Sequence, residues 1–270
     1  MALTAERIPG GLPSGRLVVP DERVAGPGVT EPVLWVSRDP VPEPEAGQRW
    51  GELLQQREET GLWPLLLGGT GSGGLRPWHT GELAPTPADA IDDVDLAERC
   101  VAEWEDMEEG LDEPMPYPAW PGMAPPAQQD GDPDERAVAV AASVEGIRAL
   151  IPADDHGPYF GLVEARDSAI TVCGWRPEVG AETVAAMVHS WEQRFGVRLC
   201  SLGGVSTVCL TVGWPRERWN TRAASPPSRS LSARICSSFP RTRISRRTRP
   251  VSSTPRPGCC GATEPLGHAR

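Results

Sequence analysis

A chain of 270 residues with net charge −11 is long enough to bury a real core, although 30 Pro and 29 Gly commit much of it to loops. All 26 basic residues are Arg, which excludes a phosphate-binding lysine, a Schiff-base lysine and a lysine general base. Of the 37 Asp and Glu only Glu264 lies beyond residue 219, where ten Arg are found, so residues 1–219 carry −20 and residues 220–270 carry +9. The acidic body argues against a nucleic-acid surface there.

The single Asn (Asn220) and the abundance of Ala, Gly, Pro and Arg are what very GC-rich coding DNA produces, which points to a high-GC bacterium. Neither a signal-peptide core nor an apolar run of about 18 residues is present. The 7 Cys show no CxxC spacing, and Cys173, Cys200 and Cys209 fall in apolar runs where a thiol acts as a small hydrophobe. The expected location is the cytoplasm, with reduced cysteines and no membrane association.

Residues 1–30 read as a flexible arm that ends in a short strand at Leu17-Val18-Val19. Val33 to Val36 is a better strand, stopped by the Pro-Glu alternation at 40–45. Trp50, Leu53, Leu54 and Arg57 recur at helical spacing, and Gly61 is placed to cap that helix. Leu62 to Leu67 reads as a buried strand in which Pro64 demands an edge or an early position. Together with the acidic helix that follows, these elements form an N-terminal α/β unit over residues 31–111.

Gly69, Gly71 and Gly74 match the dinucleotide-binding pattern GxGxxG literally. That pattern works only where a helix N-terminus holds the pyrophosphate, and Pro77 blocks a helix start here. A flexible loop is therefore expected, with no cofactor. A helix follows over 88–111, its stripe formed by Ile91, Val94, Ala97, Val101, Trp104 and Met107. Between Asp89 and Glu113 there are 12 Asp and Glu, opposed by Arg99 alone. Such a face can mimic nucleic acid or dock a basic partner, but the plainer reading, a solvated side of an amphipathic helix, is preferred. Pairs such as Asp92/Asp93 or Glu108/Glu109 could hold a metal, yet nothing selects one of them.

Residues 112–135 contain seven Pro and read as an extended linker that divides the chain. Asp132, Pro133 and Glu135 then stand as N-cap, N1 and N3 of a helix reaching Leu150. Asp154-Asp155-His156 could ligate a metal, but without a second ligand cluster it reads as a polar turn.

The C-terminal domain, residues 136–218, carries the most consistent folding pattern. Phe160 to Val163 and Ile170 to Cys173 read as strands joined by a hairpin-like connection. Glu178 to Phe195 reads as a helix with Val184, Met187, Val188, Trp191 and Phe195 in one stripe, His189, Glu192 and Arg194 off it, and Gly196 as cap. Strands at 197–200 and 208–212 follow, with a tight reversal at 202–205. The strand-helix-strand-strand order predicts an α+β fold: a small mixed or antiparallel sheet with helices on one face, ferredoxin-like in character, beside the small N-terminal α/β unit.

GLWPLLLG at 61–68, and above all TVCGWRPEVGAETVAAMVHSWEQRFGVRLCSLGGVSTVCLTVGWPRER at 171–218, resemble an uncharacterised bacterial family, domain-of-unknown-function family 4253. Its members carry a C-terminal domain whose helix ends in a SWEDRFG- or SWEQRFG-like run followed by two strands. Ser190, Trp191, Glu192, Arg194, Phe195 and Gly196 carry the match. The resemblance spans about 30–218 and implies no activity. It implies a further amphipathic helix and an aromatic-rich ending, from which this chain departs at about Arg218.

From Asn220 onward, ten Arg, nine Ser and seven Pro stand against one carboxylate, and no periodic apolar pattern survives. A disordered tail is expected. It reads either as a basic segment that binds nucleic acid or folds back on the acidic body, or as the product of a shifted reading frame in GC-rich DNA.

The expected function is a non-enzymatic protein-interaction module with an unknown protein partner. Trp175, His189, Trp191, Glu192 and Arg194 are its candidate contact residues, and no catalytic, cofactor or metal residue is assigned. The alternatives are a hydrolase using carboxylates with His156 or His189 as base, and nucleic-acid binding confined to the tail.

Overall fold

The computed structural model describes residues 3–68, 77–109, 117, 119–126, 131–143, 158–164, 168–177, 180–203, 207–211 and 232–236. Seven strands, β1 (Gly15–Val18), β2 (Leu34–Ser37), β3 (Trp63–Gly68), β4 (Tyr159–Val163), β5 (Arg198–Gly203), β6 (Thr207–Thr211) and β7 (Ser232–Cys236), form one sheet. Their order is β1-β2-β4-β3-β5-β6-β7. Every neighbouring pair is antiparallel except β3 and β5, so the sheet is mixed and the class is α+β.

The predicted strand-helix-strand unit at the N-terminus is present, but it is split. Helix α2 (Glu43–Gln55), which follows the short helix α1 (Glu22–Ala25), connects β2 to β3 together with the one-turn helix α3 (Arg57–Thr60). Strand β4 lies between β2 and β3, antiparallel to both. The Pro-rich stretch at 112–135 therefore does not separate two sheets. Strand β3 sits near the middle of the order, where a proline is costly. Pro64 is tolerated because β3 pairs with β5 only from Leu66 onward, so its missing N–H falls ahead of the parallel ladder.

All residues of β2, β3 and β5 are buried, which requires cover on both faces of the sheet. Helix α2 packs on α5 (Pro133–Ala142), and these two contact β3, β5 and β6. A second group comprises α6 (Ala169–Cys173), α7 (Ala181–Phe195) and the 3-10 turn Ala88–Ile91, with α4 (Leu96–Glu109) packed on α7. Between them the core holds Trp50, Trp63, Trp78 and Trp175, all fully buried. The indole N–H groups of the first three donate to the carbonyls of Pro64, Leu199 and Gly68 at 3.0, 3.1 and 2.8 Å, which removes the cost of burying them.

Ile170 to Cys173, expected as a strand, belongs to helix α6. A short apolar run does not distinguish a strand from a buried helical turn. Local chemistry selects the helix: Gly174 takes φ 73, and its N–H closes on the carbonyls of Ile170 and Thr171. The acidic helix also starts later than expected. The Asp95 side chain accepts from the N–H groups of Ala97 and Glu98, both at 3.0 Å, and so caps a new helix after the 3-10 turn. The restart rotates the stripe, leaving Cys100 and Trp104 buried and Val101 40% exposed.

Asp132 caps α5 as predicted, its side chain accepting from the Asp134 N–H at 2.9 Å. That turn brings Asp134 between the guanidinium groups of Arg57 and Arg198, an ion-paired triad tying the chain before β3 to α5 and β5. Beyond Asn220 the described residues are those of β7, which pairs with β6 over Thr207 to Thr211. Among the described residues no helix is long and apolar enough to cross a membrane.

Candidate functional site

Helix α7 carries four of the five predicted contact residues, and its two sides are unlike. Ala181, Thr183, Ala185, Ala186, Val188 and Glu192 are its buried residues. The larger side chains of the predicted stripe, Val184, Met187, Trp191 and Phe195, are only half-buried. Val184, Trp191 and Phe195 lean on the rim of the core without entering it. The helix therefore meets the protein through small residues and keeps its bulky apolar ones near the surface. The stripe identified from the sequence exists, but the helix is rotated so that the stripe lies at the border of the buried face.

The five candidates separate accordingly. Trp175 is fully buried, its backbone N–H donating to the Ile170 carbonyl at 3.3 Å, and it is a core anchor with no surface to offer. Glu192, at 8% exposure, also faces inward. Trp191 is half-buried beside Phe195, and the Arg194 guanidinium lies 5.9 Å from the Phe195 ring centroid, within range of a cation–π contact. His189 is half-buried and its Nε2 lies 2.6 Å from Nε2 of Gln193, one turn along. Only Trp191, Arg194 and His189 of the five therefore reach the surface.

Two clusters have no counterpart in the sequence reading. The first lies beside α4, where Trp104 and Trp120 meet edge to face at 5.6 Å between ring centroids and Tyr117 tilts against Trp104 at 6.5 Å. The carboxylates of Glu98, Glu105 and Asp106 are exposed along the same helix. Tyr117 and Trp120 fall within the Pro-rich linker, whose composition hides their packing against the acidic helix.

The second cluster lies at the edge of the sheet where β2 and β3 end. The Trp78 indole returns to Gly68, placing His79 against Tyr159 at the start of β4, with ring centroids 5.6 Å apart and planes at 81°. Arg16 of β1 donates to the His79 carbonyl at 2.6 Å. Burial holds the His79 imidazole below its ordinary pKa, the nearby Arg16 guanidinium adds to that, and a hydrogen bond to the Ser37 backbone opposes it. Edge-on packing and a backbone hydrogen bond give this histidine a structural role. The glycine-rich segment at 69–76 and Asp154-Asp155-His156 lie outside the described residues.

The cysteines among the described side chains, Cys100, Cys173 and Cys200, are buried thiols. Burial pushes Cys173 up to about 12 and raises Cys100, to which Glu103 contributes, so neither supplies a thiolate near neutral pH. Among the described residues no three His, Cys, Asp or Glu side chains come together as a metal set. No family model, curated protein or solved structure matches the chain.

Proposed function

We propose that this chain is a non-enzymatic protein-interaction module of the cytoplasm that engages a protein partner through the outer border of α7. The observation that carries this reading is the division of that helix, with alanines toward the core and Met187, Trp191 and Phe195 at the rim. Tryptophan, methionine and arginine are enriched in protein interfaces, and Arg194 lies beside this stripe. A helix used only for packing would bury its largest apolar residues first. Membership of the uncharacterised family belongs to the same reading: SWEQRFG closes α7, β5 and β6 follow it, and the likeness brings no activity with it.

A photo-crosslinking residue in place of Met187 tests the proposal in cells of the source organism. One recurrent protein adduct, absent when the same residue replaces the exposed Val19 on another surface, is the expected result. Adducts no different from those at Val19 would count against the module.

A further inference from the structure

Strand β1 is the outermost strand on one side of the sheet, and a cleft of about 480 Å³ lies between it and the residues that precede it. Ala5, Ile8, Leu12, Leu17 and Trp35 give the cleft its apolar lining. Leu17 and Trp35 are partners in the β1–β2 register, so their side chains share a face of the sheet. Gly15, two residues before Leu17, lies on that face too. A β-carbon at Gly15 would overlap the Trp35 indole, so the missing side chain is what lets the ring lie across β1.

The other wall is fastened to the body of the protein. Arg7 donates to the Thr60 carbonyl at 3.1 Å and is ion-paired with Glu164. Arg49 of α2 donates to the Gly11 carbonyl. The segment that carries Ile8 and Leu12 is thus tied down at residues 7 and 11, and Pro9 and Pro13 restrict its backbone. A wall held in place before binding need not be ordered by the ligand, which favours affinity.

Two features define what fits. The first is charge: none of the lining residues is Asp or Glu, although the chain holds 37 of them. Arg16, the one charged residue of the lining, alternates to the other face of β1, where its guanidinium donates to the His79 carbonyl at 2.6 Å. The second is the Trp35 indole N–H. Trp35 is only 5% exposed, yet among the described residues this donor has no acceptor, whereas the indoles of Trp50, Trp63 and Trp78 donate to carbonyls. Its Nε1 is not sealed in the interior as those of Trp104 and Trp120 are, so it opens on the cleft that the ring lines.

Small-molecule sites typically enclose roughly 300–1,000 Å³, with apolar walls and a few placed polar groups. A charged ligand would give up its hydration here without a counter-ion. We propose that the cleft between β1 and residues 5–13 binds an uncharged, largely apolar small molecule, with the Trp35 indole N–H donating to a carbonyl-type oxygen of that ligand. The site shares no residue with the α7 stripe, so failure of one leaves the other standing.

Three probes of nearly one shape test this by equilibrium dialysis against the full chain: 2-acetylnaphthalene, 2-ethylnaphthalene and 2-naphthoate. The acetyl probe should bind about fivefold more tightly than the ethyl probe, the size of one net hydrogen bond, and 2-naphthoate most weakly. Trp35→Phe keeps an apolar ring without the donor and should make the two uncharged probes equal. Ile8→Arg/Leu12→Arg, at half-buried positions, should abolish binding of both. In the unmodified chain, absence of saturable binding, equal affinity for the two uncharged probes, or tightest binding of 2-naphthoate overturns the proposal, whether or not the variants fold. An acetyl preference that persists in folded Trp35→Phe overturns it too, because another donor is then responsible. Binding that survives in the folded double variant places the probes elsewhere and contradicts the site.

Discussion

The carboxylate of Asp134, in the first turn of α5, is bonded to the guanidinium of Arg198 on β5, and both side chains are almost fully enclosed. Arg57 binds the other oxygen of the same carboxylate. One carboxylate thus bridges two enclosed guanidinium groups that approach from segments on either side of the Pro-rich stretch. Replacing Asp134 with Ala leaves both guanidinium groups without it and should destabilise the fold by about 3–5 kcal/mol. Urea denaturation checks this, and a midpoint within error of the unmodified chain would show that the triad contributes nothing.

Gly174 and Gly61 adopt the same left-handed backbone, φ 73 and φ 68, but differ in surroundings. A β-carbon at Gly174 would stand 2.5 Å from the Pro85 backbone nitrogen, whereas at Gly61 it meets only the end of the Arg7 side chain at 3.1 Å. Gly61→Ala should cost about 1–2 kcal/mol, the backbone penalty alone. Gly174→Ala should cost clearly more, because backbone cannot step aside as an arginine side chain can. Equal shifts in melting temperature for the two variants would contradict this.

The Cys173 thiol gives the fold a dependence on alkaline pH. Its pKa is raised by burial from 9.0 to about 12, so the folded state favours the protonated form. The contribution is fully present below pH 9 and is lost as pH rises from 9 toward 12, by about 1.4 kcal/mol per pH unit. Cys173→Ala should flatten that part of the stability curve. At pH 8 iodoacetamide should leave Cys173 unmodified in the native protein and alkylate it in urea, as peptide mass mapping would show.

For His79 the sign is reversed. Its pKa lies below the ordinary 6.5, mainly through burial and then through Arg16, so the neutral ring is favoured in the fold. The associated stability is present above pH 6.5 and declines as pH falls through the folded value. Arg16→Gln should move the His79 titration upward, still below 6.5, because burial remains. Proton NMR of the imidazole signals measures it, and an unchanged midpoint would remove Arg16 as a cause.

The elements with strong local signals are those that could be read from the chain alone. Asp132 and Pro133 start α5, Gly196 ends α7, and the apolar runs of β2 and β3 lie where expected. Long-range pairing was not visible: nothing in Phe160 to Val163 says that this strand inserts between β2 and β3. Ile170 to Cys173 was too short to show a period, and the capping role of Asp95 was masked by the carboxylates around it. The candidate surface was half legible. The α7 stripe is a matter of spacing, but its rotation depends on which neighbours accept alanines. The Trp104–Trp120 pair joins residues across composition that reads as linker, and only folding reveals it.

The double variant Met187→Ser/Trp191→Ser tests the interaction module most directly. The unmodified chain and the variant would be immobilised in equal amounts, exposed to native lysate at low salt, and compared by quantitative mass spectrometry. Half-buried positions at a helix rim should tolerate the change with a loss of only about 1–2 kcal/mol, so melting curves establish that the variant is folded. A partner retained by the unmodified chain should be depleted at least about tenfold by the variant, the loss expected when an interface anchor worth about 1.4 kcal/mol or more is removed. Identical protein profiles for the two folded chains would contradict it.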